Sequence, residues 1–349
     1  MVDSAPPSPS DALASRSNDG HLPALSVVIP TFNRRERLAR VLEALSRQEC
    51  ELPFEVIVVS DGSTDGTDDF LRGLDTSLDL HAHFQPNSGP AAARNRGVAA
   101  ARSDLVLFID DDVVPAPNLV RAHLDVRGRV DPGTVVIGPM RDPADHRMTS
   151  WVAWEQEMLA KQYEAMEAGQ WRATARQFYT GNASLPVEVI RRAGGFDTGF
   201  TRAEDIELAF RLHDLGAGFE YAPDATGWHY AERSYESWCG AAYAYGRNDV
   251  RFGRDLDRPQ IFALIAWTFG RRNLLLKVVA LITVHSALLG RAERRLFELL
   301  VVPHPAASRR RLVRYALSAV YAERYYRGLT DELGSSRRAR QVLRTPLDA

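Results

Sequence analysis

Three apolar runs decide the fold: LSVVIP at 25–30, FEVIVVS at 54–60 and DLVLFID at 104–110. Each is short, almost wholly apolar and closed by a polar or turn-forming residue, the pattern of a strand buried on both faces. Helical spacing fills the gaps between them. RRERLARVLEALSRQ (34–48) sets Leu38, Val41, Leu42 and Leu45 along one side. GPAAARNRGVAAAR (89–102) is rich in alanine, with Asn87 and Ser88 ahead of it as N-cap candidates. LDLHAHFQ (78–85) reads as another strand. Strands alternating with helices predict an α/β fold, a mostly parallel sheet flanked by helices.

In such a sheet, ligands bind beyond the carboxyl ends of the strands. The unusual polar residues of this chain crowd at those ends. Thr31, Asn33 and Arg34 follow the first strand, Asp61 opens DGSTDGTDD after the second, and Asp110, Asp111 and Asp112 follow the fourth. Adjacent carboxylates repel and are costly to bury. A divalent cation such as Mn²⁺ or Mg²⁺ removes that cost and bridges readily to phosphate oxygens. On an extended backbone residues 110 and 112 point the same way, so one can hold a ribose while the other holds a metal. A solvated acidic turn is the competing reading. The Asp, Gly, Ser and Thr around Asp61 are also ordinary turn chemistry. Asn87-Ser88-Gly89-Pro90 offers N–H groups at a helix start for a phosphate, and Arg94 would add a charge-assisted contact.

Farther along, TVVIGP (134–139) reads as a strand, 149–168 as a helix with Trp151, Trp154 and Met158, and GNASLP (181–186) as a short strand or turn. VEVIRRAGG (187–195) and AEDIELAFRLHDLG (203–216) are helical, and GFEYAP (218–223) is the last core strand. Trp151, Trp154 and Trp171 are more often core residues than sugar-stacking ones. Beyond residue 232 the pattern is helical, with apolar blocks at 261–269, 274–289 and 296–302 separated by paired or clustered arginines.

Composition narrows the classes. The chain has 349 residues, 45% hydrophobic and 25% charged, with a net charge of −2. That is an ordinary globular composition with no field for nucleic acid. The two cysteines, Cys50 and Cys239, form no metal-ligand spacing and fit a reducing compartment. Residues 1–23 lack the apolar core of a secretory signal and read as a disordered tail. The longest apolar stretch, 274–289, carries Lys277 and His285 and is too short to cross a bilayer.

SVVIPTFNR, VIVVSDGSTDGT, NSGPAAARNRG and LVLFIDDDV follow in order within residues 25–114. Together they resemble the family 2 glycosyltransferases of GT-A fold. The likeness continues more sparsely through GNASLP, GGFD and AEDIELAFRL to about residue 230. It implies that Thr31 and Asp61 contact the nucleotide base and that Arg94 lies near base and diphosphate. It makes Asp110 and Asp112 the outer positions of an Asp-x-Asp motif, for ribose and metal, with Asp111 between them on the donor side. It implies an acceptor-side acidic pair in Glu204 and Asp205, with Asp205 as catalytic base. His229 matches a position that sometimes supplies a further metal ligand, although a half-buried histidine between Trp228 and Tyr230 is an equally good reading. Gly181 and Asn182, with Gly194 to Asp197, would shape the sugar and acceptor pocket, or serve turn geometry alone.

The expectation is therefore a catalytic domain over 24–231, its nucleotide-binding half at 24–114 and its acceptor half at 115–231. A helical extension would follow over 232–332 and a frayed tail over 333–349. The function implied is metal-dependent, inverting transfer of a sugar from a nucleotide-diphosphate sugar to a hydroxyl of a glycan, lipid-linked or small-molecule acceptor, in the cytoplasm and in cell-envelope glycan or glycolipid synthesis. A non-catalytic nucleotide-sugar-binding protein of the same fold is the main alternative. A sugar nucleotidyltransferase is weaker, because PTFNRRER lacks the glycine-rich signature such enzymes carry after the first strand. The Gln-x-x-Arg-Trp motif and multiple spans of processive synthases are also missing. The arginine-flanked C-terminal helices would serve peripheral membrane contact, a soluble cap or a homodimer interface.

Overall fold

The computed structural model describes residues 22–200, 202–301 and 311–346. The tail expected over 1–23 lies outside them except for its last two residues. The chain divides into two compact units, one running to His146 and from Leu159 to Tyr230, the other comprising Arg147–Met158 and the chain from Ala231.

The first unit is built on a seven-stranded sheet. Its elements are β1 (Leu25–Thr31), α1 (Arg35–Leu45), β2 (Phe54–Asp61), α2 (Thr67–Gly73), β3 (Asp79–Gln85), α3 (Pro90–Ala100) and β4 (Leu105–Ile109). There follow β5 (Val113–Pro115), α4 (Leu119–Arg127), β6 (Val135–Ile137) and β7 (Met140–Arg141). After α5 (Ser150–Glu167), which starts in the second unit and ends in the first, come β8 (Asn182–Pro186), α6 (Val187–Arg192), α7 (Glu204–Asp214), β9 (Phe219–Tyr221) and β10 (Gly227–His229). The sheet order is β3-β2-β1-β4-β8-β6-β9. All pairings are parallel except those of β8, which runs against both β4 and β6. The mostly parallel sheet flanked by helices is thus as the sequence pattern implies.

Strand alternation gives each face of β1 its own partner. Leu25, Val27 and Ile29 join Val56, Val58, Leu105 and Leu107 in one core with Leu38, Val41, Leu42 and Leu45 of α1. Val28 and Phe108 are equally buried on the opposite face. Full burial of such a side chain is worth roughly 1.5–3 kcal/mol, so register is strongly set: a one-residue slip would turn every side chain to the wrong face.

A smaller sheet, β5-β10-β7, stands beside the rim of β4. Its register pairs His229 with Val113, and the Tyr230 N–H donates to the Asp112 carbonyl at 2.9 Å. This pairing brings a residue 117 positions later in the sequence against the acidic triplet.

The second unit is helical, with α8 (Tyr235–Arg254), α9 (Gln260–Arg271), α10 (Leu274–His285), α11 (Ala287–Val301), α12 (Arg311–Leu333) and α13 (Ser336–Val342). Trp151, Trp238, Val313, Leu317 and Val320 form its core, with Trp154 and Tyr321 packed against them. A Cβ on Gly246 of α8 would meet the Tyr325 carbonyl of α12, so the glycine lets the two backbones touch. The apolar block at 274–289 is two helices, broken where Ser286 turns extended at φ −148°. The expectation of a frayed end from 333 does not describe residues 336–342. Ser335 caps that helix from its side chain, and Ala339 and Leu343 are buried.

Candidate active site

β2, β1 and β4 are neighbours in the sheet, and their carboxyl ends open on one rim. Thr31, the last residue of β1, is buried and donates through Oγ1 to Asp111 Oδ2 at 2.8 Å. Three residues later Arg34 places Nη1 2.8 Å from both Asp111 Oδ1 and Asp112 Oδ2. Arg37 adds a longer contact to Asp112 at 3.7 Å. Burial works against the charge on Arg34, but Asp111 and Asp112 outweigh it and hold its pKa above the ordinary value. Burial likewise pushes the Asp111 carboxyl up, to about 6, with Arg34 opposing. Arg34 is thus more than one of the polar residues at a strand end: its place directly after a buried strand, on the ligand side of the sheet, gives it a role that no motif assigns.

The triplet does not continue the strand. β4 ends at Ile109, and the Val113 N–H returns to the Asp110 carbonyl at 3.0 Å, closing a turn. Asp110 and Asp112 therefore do not share a direction as an extended backbone would require. Asp110 meets Arg94, and Asp112 meets Arg34 and, at 3.6 Å from its Oδ1, His229 Nε2.

Asp61 is buried and accepts from three donors: Gln85 Nε2 at 2.7 Å, and the N–H groups of Ser88 and Gly89 at 2.8 Å each. It thereby ties the end of β2 to the entry of α3. The capping expected of Asn87 or Ser88 is absent. No side chain caps α3 from its N-cap Gly89, and the Ser88 hydroxyl turns instead to the Pro86 carbonyl.

Arg94 also differs from expectation. It is buried, and its guanidinium bridges Asp110 Oδ1 and Glu204 Oε1 at 2.8 Å each. Its charge is used within the protein, holding a donor-side acid to the acceptor-side pair. The neighbouring Asn95 does the same for the backbone, exchanging hydrogen bonds with both the N–H and the carbonyl of Phe196 at 2.8 Å. These bonds fix GGFD against α3.

Glu204 and Asp205 open α7 behind Ala203, whose φ of 59° lies in the left-handed region. A non-glycine residue there stores strain, a feature that gathers at functional sites. Glu204 is buried and Asp205 half-buried. Burial, then the adjacent Glu204, push the Asp205 carboxyl up to about 7, against the pull of Arg94. Asp205 is also close enough to Tyr179 to raise its phenol, which burial has already raised.

Gly181 and Asn182 have distinct structural places. A Cβ on Gly181 would come within 2.5 Å of Met140 Sδ and 3.1 Å of Asp110 Oδ2, so the missing side chain makes room for the acid. Asn182 is fully buried. It donates to the Pro139 and Ala225 carbonyls and meets His123 Nε2 at 2.9 Å, so its side chain does not line a pocket. His123, which also meets Ser184 Oγ, is held near a pKa of 4 by burial and stays neutral. Trp151 and Trp154 belong to the second unit's core, whereas Trp171 is exposed.

Among the described residues, the compact carboxylate–histidine cluster lies elsewhere: Glu55, Asp79 and His81. It sits at the opposite ends of β2 and β3, where Arg102 binds both acids and Ser26 also donates to Glu55.

Residues 26–192 match the family described as Glycosyl transferase family 2. Among curated relatives, validoxylamine A glucosyltransferase of Streptomyces hygroscopicus subsp. jinggangensis is 35% identical over 59% of this chain and 55% of its own. The pre-mycofactocin glycosyltransferase of Mycobacterium tuberculosis is 31% identical over 70% of this chain and 52% of its own. The chain thus spans about half the length of these relatives. Among solved structures, a mannosyltransferase from Pyrobaculum calidifontis, in complex with GDP-mannose and Mn²⁺, superposes with a TM-score of 0.56 at 20% identity, over 93% of this chain and 94% of that one. The likeness shows the fold, GT-A. The family 2 match ends with α6 at residue 192, so Glu204, Asp205 and His229 lie beyond it.

Proposed function

We propose that this chain transfers a sugar from a nucleoside-diphosphate sugar to a hydroxyl acceptor with inversion at the anomeric carbon, assisted by a divalent cation. The observation that carries the reading is the Arg94 bridge. Through it Asp110, at the end of the nucleotide-side strand β4, stands next to Glu204 and Asp205, which arrive on a separate helix. The family match over residues 26–192 and the named glycosyltransferase relatives support the same class.

The donor set suits Mn²⁺ or Mg²⁺. Asp112 Oδ1 and His229 Nε2 are 3.6 Å apart, close enough for one ion with bonds of about 2.1 Å to touch both. Asp112 and His229 would hold the cation. When bound, it neutralises charge on the diphosphate leaving group. Thr31 and Asp61 bound the nucleotide side. Asp61 does so by fixing the 85–89 segment, and Arg34 screens Asp111 and Asp112 from each other. Asp205 takes the proton of the attacking hydroxyl, whose oxygen bonds to the anomeric carbon as the bond to the diphosphate breaks on the other side. Its raised pKa makes it a base suited to neutral pH. Glu204 and Gly181 border the sugar and acceptor. The setting proposed is the cytoplasm, on a glycan, glycolipid or small-molecule acceptor.

The test incubates the protein with a panel of nucleotide sugars, with and without Mn²⁺, and follows nucleoside diphosphate release. Release that needs Mn²⁺ and is lost in Asp205→Asn is the expected result. Tight donor binding with no turnover under any acceptor would favour a non-catalytic binding protein.

A further inference from the structure

The second unit carries a helix with its polarity turned inside out. In α11 the apolar Leu288, Leu296 and Leu299 face solvent, exposed by 69%, 64% and 71%. The acids of the same helix turn inward. Glu298 is buried against Tyr235 Oη and Arg294 Nη1, each at 3.2 Å, and Arg294 Nε lies 3.3 Å from the buried Glu323 of α12. Burial and the nearness of Glu323 raise the Glu293 carboxyl as well. A surface helix ordinarily does the reverse, hiding its apolar stripe and showing its charges. The preceding α10 repeats the theme. Leu274, Val278 and Leu281, at helical spacing, are exposed, while Val279, Ala280 and Val284 on its other side are buried. Large apolar side chains exposed in number on neighbouring helices mark a contact site.

Charge indicates what makes the contact. Between Gln260 and Val301 the chain has two acids, Glu293 and Glu298, against Arg271, Arg272, Lys277, Arg291, Arg294 and Arg295. With Glu298 buried and Glu293 half-buried, the helix displays leucines edged by cations. Arg291 is exposed, the Arg295 side chain is 78% exposed although its Nη1 lies 3.3 Å from Glu298 Oε2, and Arg271 lies over the exposed Trp267 ring at 4.8 Å. Leucines that enter the acyl boundary and arginines that meet phosphate headgroups are the components of a helix lying in an anionic membrane surface, where an exposed tryptophan such as Trp267 is also favoured. A second copy placed on this face would set cations against cations with no acid to pair them. No helix of the described residues is long and apolar enough to cross a membrane, so the contact is one of lying on the surface.

We propose that the outward face of α10 and α11 docks on a bilayer rich in anionic lipid, with Leu274, Leu281, Leu288, Leu296 and Leu299 inserted and Arg291 and Arg295 against the headgroups. The proposal goes beyond the transfer chemistry and does not depend on it, because docking is read without any substrate.

The full chain is sedimented with vesicles of phosphatidylcholine alone and of equimolar phosphatidylcholine and phosphatidylglycerol. Binding to the anionic vesicles, weakened by salt as the Debye length shrinks from about 10 Å at 0.1 M to about 3 Å at 1 M, is expected. The neutral vesicles should bind little. The Arg291→Ala/Arg295→Ala pair should lower the anionic-vesicle partition roughly 25-fold, about fivefold for each arginine. Leu296→Glu/Leu299→Glu should abolish it with an unchanged thermal midpoint, since both side chains are exposed in the folded chain. Equal binding to neutral and anionic vesicles, or none to either, overturns the proposal. So does a doubled mass in light scattering that the leucine pair variant reverts to monomer, which would assign the face to a second copy.

Discussion

Arg94 reaches Glu204 at 2.8 Å from a buried position on α3, and the same guanidinium reaches Asp110. One cation therefore serves two acids from opposite sides of the proposed chemistry. Removing it leaves the buried Glu204 without its cation, while Asp110 keeps some access to water. Breaking a buried pair by deleting one partner costs about 3–5 kcal/mol. Arg94→Met should lower the unfolding free energy by that order, seen as a lower urea midpoint at unchanged slope, and Arg94→Lys, which keeps the charge but not the fork, should recover part of the loss.

Asp205→Asn should leave donor affinity in place and lower kcat by roughly 10²- to 10⁴-fold, the usual contribution of a general base. The carboxyl of Asp205 titrates near 7 because burial and Glu204 raise it. A base works deprotonated, so kcat should climb as pH rises through neutrality and level off above it. Glu204→Gln removes the neighbouring negative charge and leaves Arg94 more available, so the rising limb should move to lower pH. A limb that stays in place in kcat–pH profiles would exclude Asp205 as the titrating group.

Asp112→Ala should abolish the Mn²⁺-dependent part of nucleotide binding, measured by calorimetry with and without the ion. His229→Ala should weaken Mn²⁺ binding by at least the roughly 10- to 100-fold that even an outer-shell change costs.

Asp61→Ala removes an acceptor that holds three donors from residues 85–89. Hydrogen bonds to a charged group contribute about 1.5–3 kcal/mol each. The variant should lose at least about 1.5 kcal/mol of stability and show faster amide exchange at Ser88 and Gly89, with weaker nucleotide binding. Unaltered exchange there would show that Asp61 does not hold the segment.

Gly181→Ala forces a methyl against Met140 and Asp110. Overpacking of this kind costs about 1–3 kcal/mol. Donor affinity should fall with stability, because the group displaced is itself a proposed donor ligand.

Much of this was legible in the sequence, and the reasons it was or was not are physical. LSVVIP, FEVIVVS and DLVLFID are strands because wholly apolar runs of that length have little choice but burial between two helix layers. Their order fixed which polar residues share a rim. Side-chain direction was less legible. The apolar run before them predicts residues 110–112 extended, yet the backbone turns there and gives Asp110 and Asp112 different partners, and nothing local encodes the return of the Val113 N–H. Arg94 and Asn182 were identified as site residues from short motifs. Their partners Glu204, Pro139, Ala225 and His123 come from distant segments, and a motif does not say whether a polar group faces the ligand or the protein. Arg34 is visible at its strand end, but an arginine in an arginine-rich chain has no assignable role until its two acids are seen beside it. The inward acids of α11 likewise appear only once α8 and α12 lie against it.

The reversed direction of β8 has a consequence during synthesis. β4 is sealed by β1 on one side and by β8 on the other, and β8 lies about seventy residues downstream. Until Asn182–Pro186 have left the ribosome, LVLFI is a bare edge with open backbone groups, the sort of strand that recruits other chains. A fragment truncated after the nucleotide-binding half would keep its acids and lose its solubility, so the smallest soluble piece of this protein must extend past Pro186.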